Sequence, residues 1–202
     1  MKKKDLLFFA AIVFAAFFAN GCNNAKHEKE ETASESTSTA VTNPNFSIAP
    51  VEYAEITEKA LTAFSKFDFD GWGTMLSDTV IYAFPDGDVA TRTKLIGKAA
   101  VLSWWKAWKI KSGVQSVEMT EFNHFPLNVT AQPKGGALIG IYDFVYFSDK
   151  LVFNGKPVSL RMNYAIHFNA DKKIDRYITY YDRDVLIKGS GHNMLEELKG
   201  KK

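Results

Sequence analysis

Hydrophobic and polar positions alternate along two long arms on either side of an Asn-Gly pair. The first arm covers residues 137–153 and the second covers residues 156–168, with Asn154 and Gly155 between them. A period of two is typical of β-strands that bury one face, and Asn-Gly is the strongest short-range signal for a hairpin turn. The pattern therefore predicts a long antiparallel hairpin. Each arm exceeds the usual strand of about five or six residues, so we expect the hairpin to curve.

The turn also predicts which side chains share a face. With Asn154 and Gly155 as the turn residues, Phe153 lies opposite Lys156, and directly opposed side chains share a face. One face is nearly all apolar and is expected to meet the core: Ile139, Ile141, Asp143, Val145, Phe147, Leu160, Met162, Tyr164, Ile166 and Phe168. The other face is aromatic and polar and is expected at a surface or subunit contact: Gly140, Tyr142, Phe144, Tyr146, Ser148, Ser159, Arg161, Asn163, Ala165 and His167.

Apolar residues at helical spacing predict three helices. The first is expected after Pro50, which suits the first turn of a helix. A short second helix is expected from Asp70, which can cap it. The third is expected over residues 97–111, where valine and tryptophan side chains form one broad apolar face.

Further strands are predicted over residues 79–84, 114–129 and 173–182. From Asp184 onward the chain has little apolar content, and we expect a loose tail. Together these elements indicate an α+β fold, in which about three N-terminal helices pack on a strongly curved sheet of four to five mainly antiparallel strands.

The N-terminus has the pattern of a secretory signal. Three lysines, Lys2 to Lys4, precede an apolar run from Leu6 to Ala19. A basic flank and a short apolar run before small residues are typical of a cleaved signal peptide. The run is too short for a comfortable membrane-spanning helix.

Cys22 is the only cysteine in the chain and follows Ala19-Asn20-Gly21. This ending resembles the lipobox of bacterial lipoproteins, in which the cysteine is lipidated and becomes the mature N-terminus. The resemblance implies a signal peptide over residues 1–21, a lipid anchor at Cys22, and a location in the bacterial cell envelope, expected at the outer membrane. The alternative is an ordinary signal peptide with an incidental cysteine.

The segment after the cysteine predicts a flexible tether over residues 22–49. Glu, Ser, Thr, Asn and Lys dominate residues 23–46, which cannot bury enough apolar surface to fold. Residues 1–21 carry three lysines and Asp5, so without them the formal net charge falls from +2 to zero. A neutral mature chain argues against nucleic acid as a partner.

Four short motifs follow one another in the folded part of the chain. They are Phe69-Asp70-Gly71-Trp72, Leu76-Ser77-Asp78-Thr79-Val80, Gly97-Lys98-Ala99-Ala100-Val101, and the ending from Asp171-Lys172-Lys173-Ile174 through Tyr180-Tyr181-Asp182. Their order resembles the nuclear-transport-factor-2-like superfamily, and within it the SnoaL-like group. The resemblance covers residues 50–184 and leaves residues 185–202 as a C-terminal tail.

That resemblance implies a cone-shaped α+β fold with a pocket between the helices and the concave face of the sheet. Members of the superfamily include isomerases, cyclases, dehydratases and epoxide hydrolases, and many bind ligands without catalysis. In enzymes similar to ketosteroid isomerase, a general-base Asp follows the first strand. Here that region reads Tyr82-Ala83-Phe84-Pro85, so the base is missing unless Asp86 replaces it.

Asp143 is the candidate catalytic residue. Burial on an apolar face raises the pKa of a carboxyl group unless the group is paired, and such a group suits general acid or base catalysis near neutral pH. Placing Phe168 opposite Ile174 puts Arg176 opposite Ile166, two strands from Asp143 and close enough for an ion pair. A structural pair with Arg176 and a ligand-facing Asp143 are therefore both open.

The expected ligand-binding residues are Tyr82, Trp105, Tyr164, Arg176 and Tyr180. No metal site and no cofactor are expected. His124 and His167 are lone residues and are expected to be structural. Because His167 falls on the outer face of the hairpin, we expect a His167→Ala change to cost no more than about 0.5 kcal/mol, as is typical at a surface.

Two functions are compatible with these residues. The first is a membrane-anchored, SnoaL-like module that binds a small, largely apolar ligand and has no catalysis of its own. The second is an isomerase-, cyclase- or hydrolase-type enzyme that uses Asp143 as general acid and base with a tyrosine as hydrogen-bond donor. The face of Tyr142, Phe144 and Tyr146 is a third candidate, as a surface for a protein partner or a homodimer.

Overall fold

Seven strands and five helices make up the residues that the computed structural model describes, 45–88 and 90–198. In chain order they are β1 (Phe46–Ile48), α1 (Glu52–Ser65), α2 (Phe69–Thr74), β2 (Leu76–Ala83), β3 (Lys94–Ile96), α3 (Lys98–Lys111), β4 (Val114–Val129), β5 (Gly140–Phe153), β6 (Lys156–Phe168), β7 (Ile174–Tyr181), α4 (Arg183–Ser190) and α5 (Met194–Glu197). The strands form one curved sheet in the order β1-β4-β5-β6-β7-β2-β3. Among these strands β2 and β7 pair in parallel and the other neighbours pair antiparallel. An α+β fold with a mainly antiparallel sheet is confirmed.

The predicted hairpin forms the middle of the sheet. Phe153 lies opposite Lys156, and the register runs without a break to Ile141 opposite Phe168. Asn154 has φ 49° and Gly155 has φ 80°. Positive φ at both central positions is the requirement of a type I′ turn, which few residues other than Asn and Gly meet at low cost. The predicted turn and register are therefore confirmed.

Most of the inner face of the hairpin is buried as expected, because the helices cover it, whereas Ile139 precedes β5 and is 52% exposed. Asp143, Val145, Phe147 and Ile166 are fully buried there. The outer face is more varied than expected. Tyr146 is exposed, but His167 is only 5% exposed, so the expectation that it lies on an open surface is wrong.

Two short strands extend the sheet beyond the four or five that were expected. β1 pairs with the end of β4 and lies within the segment expected to be a tether, while β3 pairs with β2. Strands of three residues are too short to show a periodic pattern. The third helix follows the strand predicted over residues 79–84, as expected, so only α1 and α2 precede the main strands and a group of three N-terminal helices is not confirmed.

An extra residue in β7 changes which of its side chains face inward. Phe168 lies opposite Ile174 as predicted, but the register then shifts, so that His167 lies opposite Arg176 and Ile166 lies opposite Tyr177. The unpaired residue is Asp175. Because side chains alternate along a strand, one inserted residue exchanges the two faces from that point on.

Aromatic residues of the helices fill the space over the inner face. Val101, Trp105 and Trp108 of α3 are buried, as the helical spacing predicts. Phe64 of α1 packs edge-on against Trp105, with ring centroids 4.8 Å apart. Such edge-to-face pairs add about 0.5–1.5 kcal/mol to the burial of the rings themselves.

The segment after Asp182 is not the loose tail that its composition indicates. Asp182 caps α4 by accepting a hydrogen bond from the backbone N–H of Asp184 at 2.9 Å. Gly191 ends α4 with φ 77°, a conformation that favours glycine. Met194 and Leu195 of α5 are buried and belong to the hydrophobic core.

The expected signal peptide, Cys22 and most of the expected tether lie outside the described residues. Within 45–88 and 90–198, no helix has the length and hydropathy needed to cross a membrane.

Candidate functional site

A cavity of about 70 Å³ lies between α3, the inner face of β5 and β6, and the two C-terminal helices. Aromatic side chains contribute a large part of its walls, among them Phe64, Phe84, Trp104, Trp105, Trp108 and Phe153. Trp105 and Trp108 pack edge-on with ring centroids 5.1 Å apart, and Trp104 and Trp105 do so at 4.7 Å. Mainly apolar walls with a few convergent polar groups are typical of small-molecule sites.

Asp149 is the acidic residue of this cavity. Its side chain is on the inner face of β5, in step with Val145 and Phe147, and the residue is only 3% exposed. Within the described part of the chain, its Oδ1 has no hydrogen-bond partner. Burial raises the pKa of Asp149 to about 7. A carboxyl group in this state exchanges its proton near neutral pH.

Two tyrosines lie near this carboxyl group on the same cavity wall. Burial raises the pKa of Tyr164 and of Tyr181, and the charge of Asp149 adds to both shifts. The hydroxyl of Tyr164 accepts a hydrogen bond from the hydroxyl of Tyr82 at 3.4 Å. Both tyrosines are therefore neutral at physiological pH; the hydroxyl of Tyr164 donates to Sδ of Met162 at 3.4 Å, and that of Tyr181 can donate to a ligand.

The C-terminal segment brings two basic residues, Arg183 and His192, to the cavity. Arg183 donates a hydrogen bond from Nη2 to Oδ1 of Asn193 at 3.0 Å, and His192 places Nδ1 3.2 Å from the carboxylate of Glu197. Each basic group therefore has a partner within its own segment, whereas Oδ1 of Asp149 has none among the described residues.

The chain was compared with known proteins by family model, by sequence and by structure. No family model and no curated protein matches it. Solved structures do match, among them an epoxide hydrolase of the LEH-like type from M. tuberculosis, at 18% identity and a TM-score of 0.51, covering 73% of this chain and 96% of that one. A candidate polyketide cyclase from Silicibacter matches at 16% identity and a TM-score of 0.53, covering 71% and 98%. An NTF2-like protein from Burkholderia xenovorans matches at 14% identity and a TM-score of 0.50, covering 71% and 99%.

The fold is nuclear-transport-factor-2-like. This confirms the fold that the order of the sequence motifs predicted. At these identities the likeness concerns the fold alone, so the role of each residue depends on its place in this chain.

Asp143 does not line the cavity of this nuclear-transport-factor-2-like fold. It is fully buried on the inner face of β5, and its Oδ2 lies 2.7 Å from Nδ1 of His124 on β4. The expected partner Arg176 is on the outer face because of the extra residue in β7, so the predicted ion pair between Asp143 and Arg176 is wrong. The expectation that His124 is a lone residue is wrong as well. Asp143 and His124 each keep one buried polar atom unpartnered within the described residues, Oδ1 and Nε2 respectively.

The extra residue in β7 also displaces Tyr180. Tyr180 lies opposite Asn163 on the outer face and is 48% exposed, with the guanidinium of Arg92 5.1 Å from its ring centroid. The expectation that Arg176 and Tyr180 line the pocket is therefore wrong. Tyr181 takes the inward position that was expected for Tyr180.

Three expected pocket residues do lie on the inner side of the sheet. Trp105 and Tyr164 line the cavity, and Nε1 of Trp105 is a buried donor without a partner among the described residues. Tyr82 lines a smaller space of about 10 Å³ next to it and reaches the cavity through its hydrogen bond to Tyr164.

Sequence reasoning missed Asp149, although a signal for it was present. Asp149 lies six residues after Asp143 on the predicted hairpin, and residues an even number apart on a strand face the same side. The argument that singled out Asp143 therefore applied to Asp149 as well. A bulge near Ser148 would have moved it outward, but the pairing of β5 with β6 is continuous there. No sequence signal pointed to Arg183 and His192, because their helices were expected to be a tail.

The proposed contact face of the hairpin is partly covered by the chain itself. Tyr142 is buried, packs edge-on against His167 at 4.8 Å, and accepts a hydrogen bond from the backbone N–H of Leu138 at 2.9 Å. Phe144 is half-buried, and Tyr146 remains exposed. Within residues 45–88 and 90–198, no group of His, Cys, Asp and Glu side chains is arranged to hold a metal ion.

Proposed function

We propose that this chain is a SnoaL-like module of the cell envelope that binds a small, largely apolar molecule in the cavity beside Asp149. The observation that carries the proposal is the partly open cavity at the inner face of the sheet, with aromatic side chains in its walls. Burial of even a few apolar groups against such walls stabilises a complex by about 25 cal/mol for each Å² removed from water.

The loop after β2 supports a function in binding without catalysis. Asp86 is the residue that could replace the missing general base, and both of its carboxylate oxygens are engaged. Oδ1 accepts a hydrogen bond from the backbone N–H of Thr93 at 2.9 Å, and Oδ2 accepts one from the Thr93 hydroxyl at 2.5 Å. These bonds close the loop, and they leave Asp86 poorly placed to take a proton from a ligand.

The second candidate function is acid–base catalysis of the isomerase, cyclase or hydrolase kind. The raised pKa of Asp149 favours it, because a group that titrates near neutral pH can both give and take a proton. Tyr181 and Nε1 of Trp105 would donate hydrogen bonds to a ligand oxygen. In this proposal Asp149 takes the catalytic role first expected of Asp143, which is enclosed with His124.

A cavity-filling variant tests the binding proposal. Leu151 lines the cavity, so Leu151→Trp should occupy its volume, whereas Ser159→Trp adds the same side chain on the exposed outer face. Small molecules extracted from the purified wild-type protein should also be found by mass spectrometry in Ser159→Trp and be absent from Leu151→Trp. Identical sets of molecules in all three folded proteins would contradict the proposal.

We also propose a lipid anchor at Cys22 and a position in the outer membrane. The support is the Ala19-Asn20-Gly21-Cys22 ending, since lipidation needs the thiol. Cys22→Ser should therefore release the protein from the membrane fraction or block its maturation. Wild-type levels of the serine variant in carbonate-washed membranes would refute the anchor.

A further inference from the structure

We infer that the cavity selects small alkylammonium ligands, with the Asp149 carboxylate as their counter-ion and the surrounding aromatic rings as their walls. The inference rests on the proposed function, because it names the class of ligand that the same cavity would hold. It differs from the enzyme alternative, in which Asp149 is protonated and faces a neutral ligand oxygen.

The first observation is the missing partner of Asp149. Buried charges in proteins are nearly always paired or hydrogen-bonded, because an isolated charge is costly to remove from water. Across the described residues, Asp149 takes part in no salt bridge and its Oδ1 accepts no hydrogen bond. Burial alone accounts for its raised pKa, with no neighbouring cation offsetting it. A ligand cation would supply the partner that this part of the chain does not.

The second observation is the composition of the walls. Aromatic faces attract cations through the negative charge density above the ring, and tryptophan does so most strongly. Trp104, Trp105 and Trp108 lie on one side of the cavity, and Tyr164 and Tyr181 lie on the side of Asp149. An alkylammonium ion can place its alkyl groups against these rings while its charge meets the carboxylate.

The charged groups that face the cavity permit this arrangement. Arg183 of α4 and His192, between α4 and α5, also line the cavity; the guanidinium of Arg183 donates a hydrogen bond to the neutral amide of Asn193, and Nδ1 of His192 lies beside the carboxylate of Glu197. Neither lowers the pKa of Asp149, although Arg183 does lower that of Tyr181 against the dominant effect of burial.

The size of the cavity limits the ligand. Its volume is about 70 Å³, whereas an apolar cavity of roughly 150 Å³ accommodates benzene. The cavity thus favours an ammonium ion with few carbon atoms over a large ring system.

The affinity for an alkylammonium ion should rise with pH. An alkylammonium ion binds the ionised carboxylate, so binding at acidic pH must release the proton of Asp149. With a pKa of about 7, the ionised fraction rises between pH 5.5 and pH 8, and the affinity should rise with it by roughly 30-fold. A neutral ligand that accepts a hydrogen bond from the protonated carboxyl would show the opposite trend.

Two probes of matched shape test the inference, tert-butylammonium chloride and tert-butanol. Both are titrated into the full chain at pH 5.5 and pH 8 while tryptophan fluorescence is recorded. We expect tert-butylammonium to bind at least tenfold more tightly than tert-butanol at pH 8, and to lose this preference at pH 5.5. Calorimetry at pH 6 in buffers of different ionisation enthalpy should show release of about one proton for each ammonium ion bound.

Two variants test whether Asp149 causes the preference for tert-butylammonium. Asp149→Asn keeps the shape of the side chain and removes its charge, so it should abolish the preference for tert-butylammonium at pH 8. Glu121→Gln removes a charge from the exposed outer surface and should retain the preference. Melting curves establish that each variant is folded.

Several outcomes would overturn the inference. The first is that tert-butanol binds more tightly than tert-butylammonium, with an affinity that falls as pH rises. The second is that Asp149→Asn binds tert-butylammonium as tightly as the wild-type protein does. The third is that neither probe binds. If Leu151→Trp blocks the binding of tert-butanol but the wild-type protein does not prefer tert-butylammonium over tert-butanol at pH 8, the inference fails while the proposed binding function stands. If Leu151→Trp changes the binding of neither probe, the proposed site fails as well.

Discussion

The carboxyl group of Asp149 should make the stability of this protein depend on pH in a way that one substitution removes. Its pKa is about 7 in the folded chain and about 3.9 in an unfolded chain. The folded state therefore holds the proton more tightly. Its contribution to stability is complete below about pH 4 and is lost as pH rises through 7. About three pKa units at 1.36 kcal/mol each correspond to roughly 4 kcal/mol in total, of which about 3 kcal/mol falls between pH 5 and pH 8.5.

Asp149→Asn cannot ionise, so it should escape this loss. The free energy of unfolding of the variant relative to wild type should increase by about 3 kcal/mol from pH 5 to pH 8.5. Urea denaturation followed by tryptophan fluorescence measures the difference at each pH. Asp171→Asn, on the exposed turn before β7, is the matched control and should show a constant difference. A difference for Asp149→Asn that stays within about 0.5 kcal/mol across the range would show that the carboxyl group is not desolvated as the structure has it.

Two further predictions concern segments whose burial was not expected. His167→Ala should lower the free energy of unfolding by about 2–4 kcal/mol, because it removes the contact of Nδ1 with Asp175 at 2.5 Å and the hydrogen bond from Nε2 to the Ile139 carbonyl at 3.1 Å. Urea denaturation measures this loss, with the exposed Ser159→Ala as the control. A loss below about 0.5 kcal/mol would contradict the buried placement of His167. Leu195→Ala should cost about 2–4 kcal/mol in the same assay, because α5 packs into the core; an unchanged midpoint would indicate that this segment is a tail after all.

Local sequence was sufficient for the central hairpin. Asn154 and Gly155 adopt the positive φ of the turn with little strain, and a two-residue turn leaves a single register for the arms. Alternation along the arms then determined the inner face, including the burial of Asp143. The helical spacing of valine and tryptophan was equally sufficient for α3.

The composition of the candidate site could not be predicted in the same way, because it depends on contacts between distant segments. The extra residue at Asp175 moves Arg176 and Tyr180 outward and Tyr181 inward. Its carboxylate lies beside His167 on the neighbouring strand. No local pattern predicts a bulge whose partner comes from another strand.

The sequence by itself determined the class of the fold and the central hairpin, because turn conformation and side-chain periodicity are properties of neighbouring residues. Only the tertiary structure decided that His124 pairs with Asp143, that Asp149 borders the cavity, and that Met194 and Leu195 close the core. The physical reason is desolvation: the pKa of a carboxyl group and the burial of a short apolar segment depend on what the rest of the chain places around them.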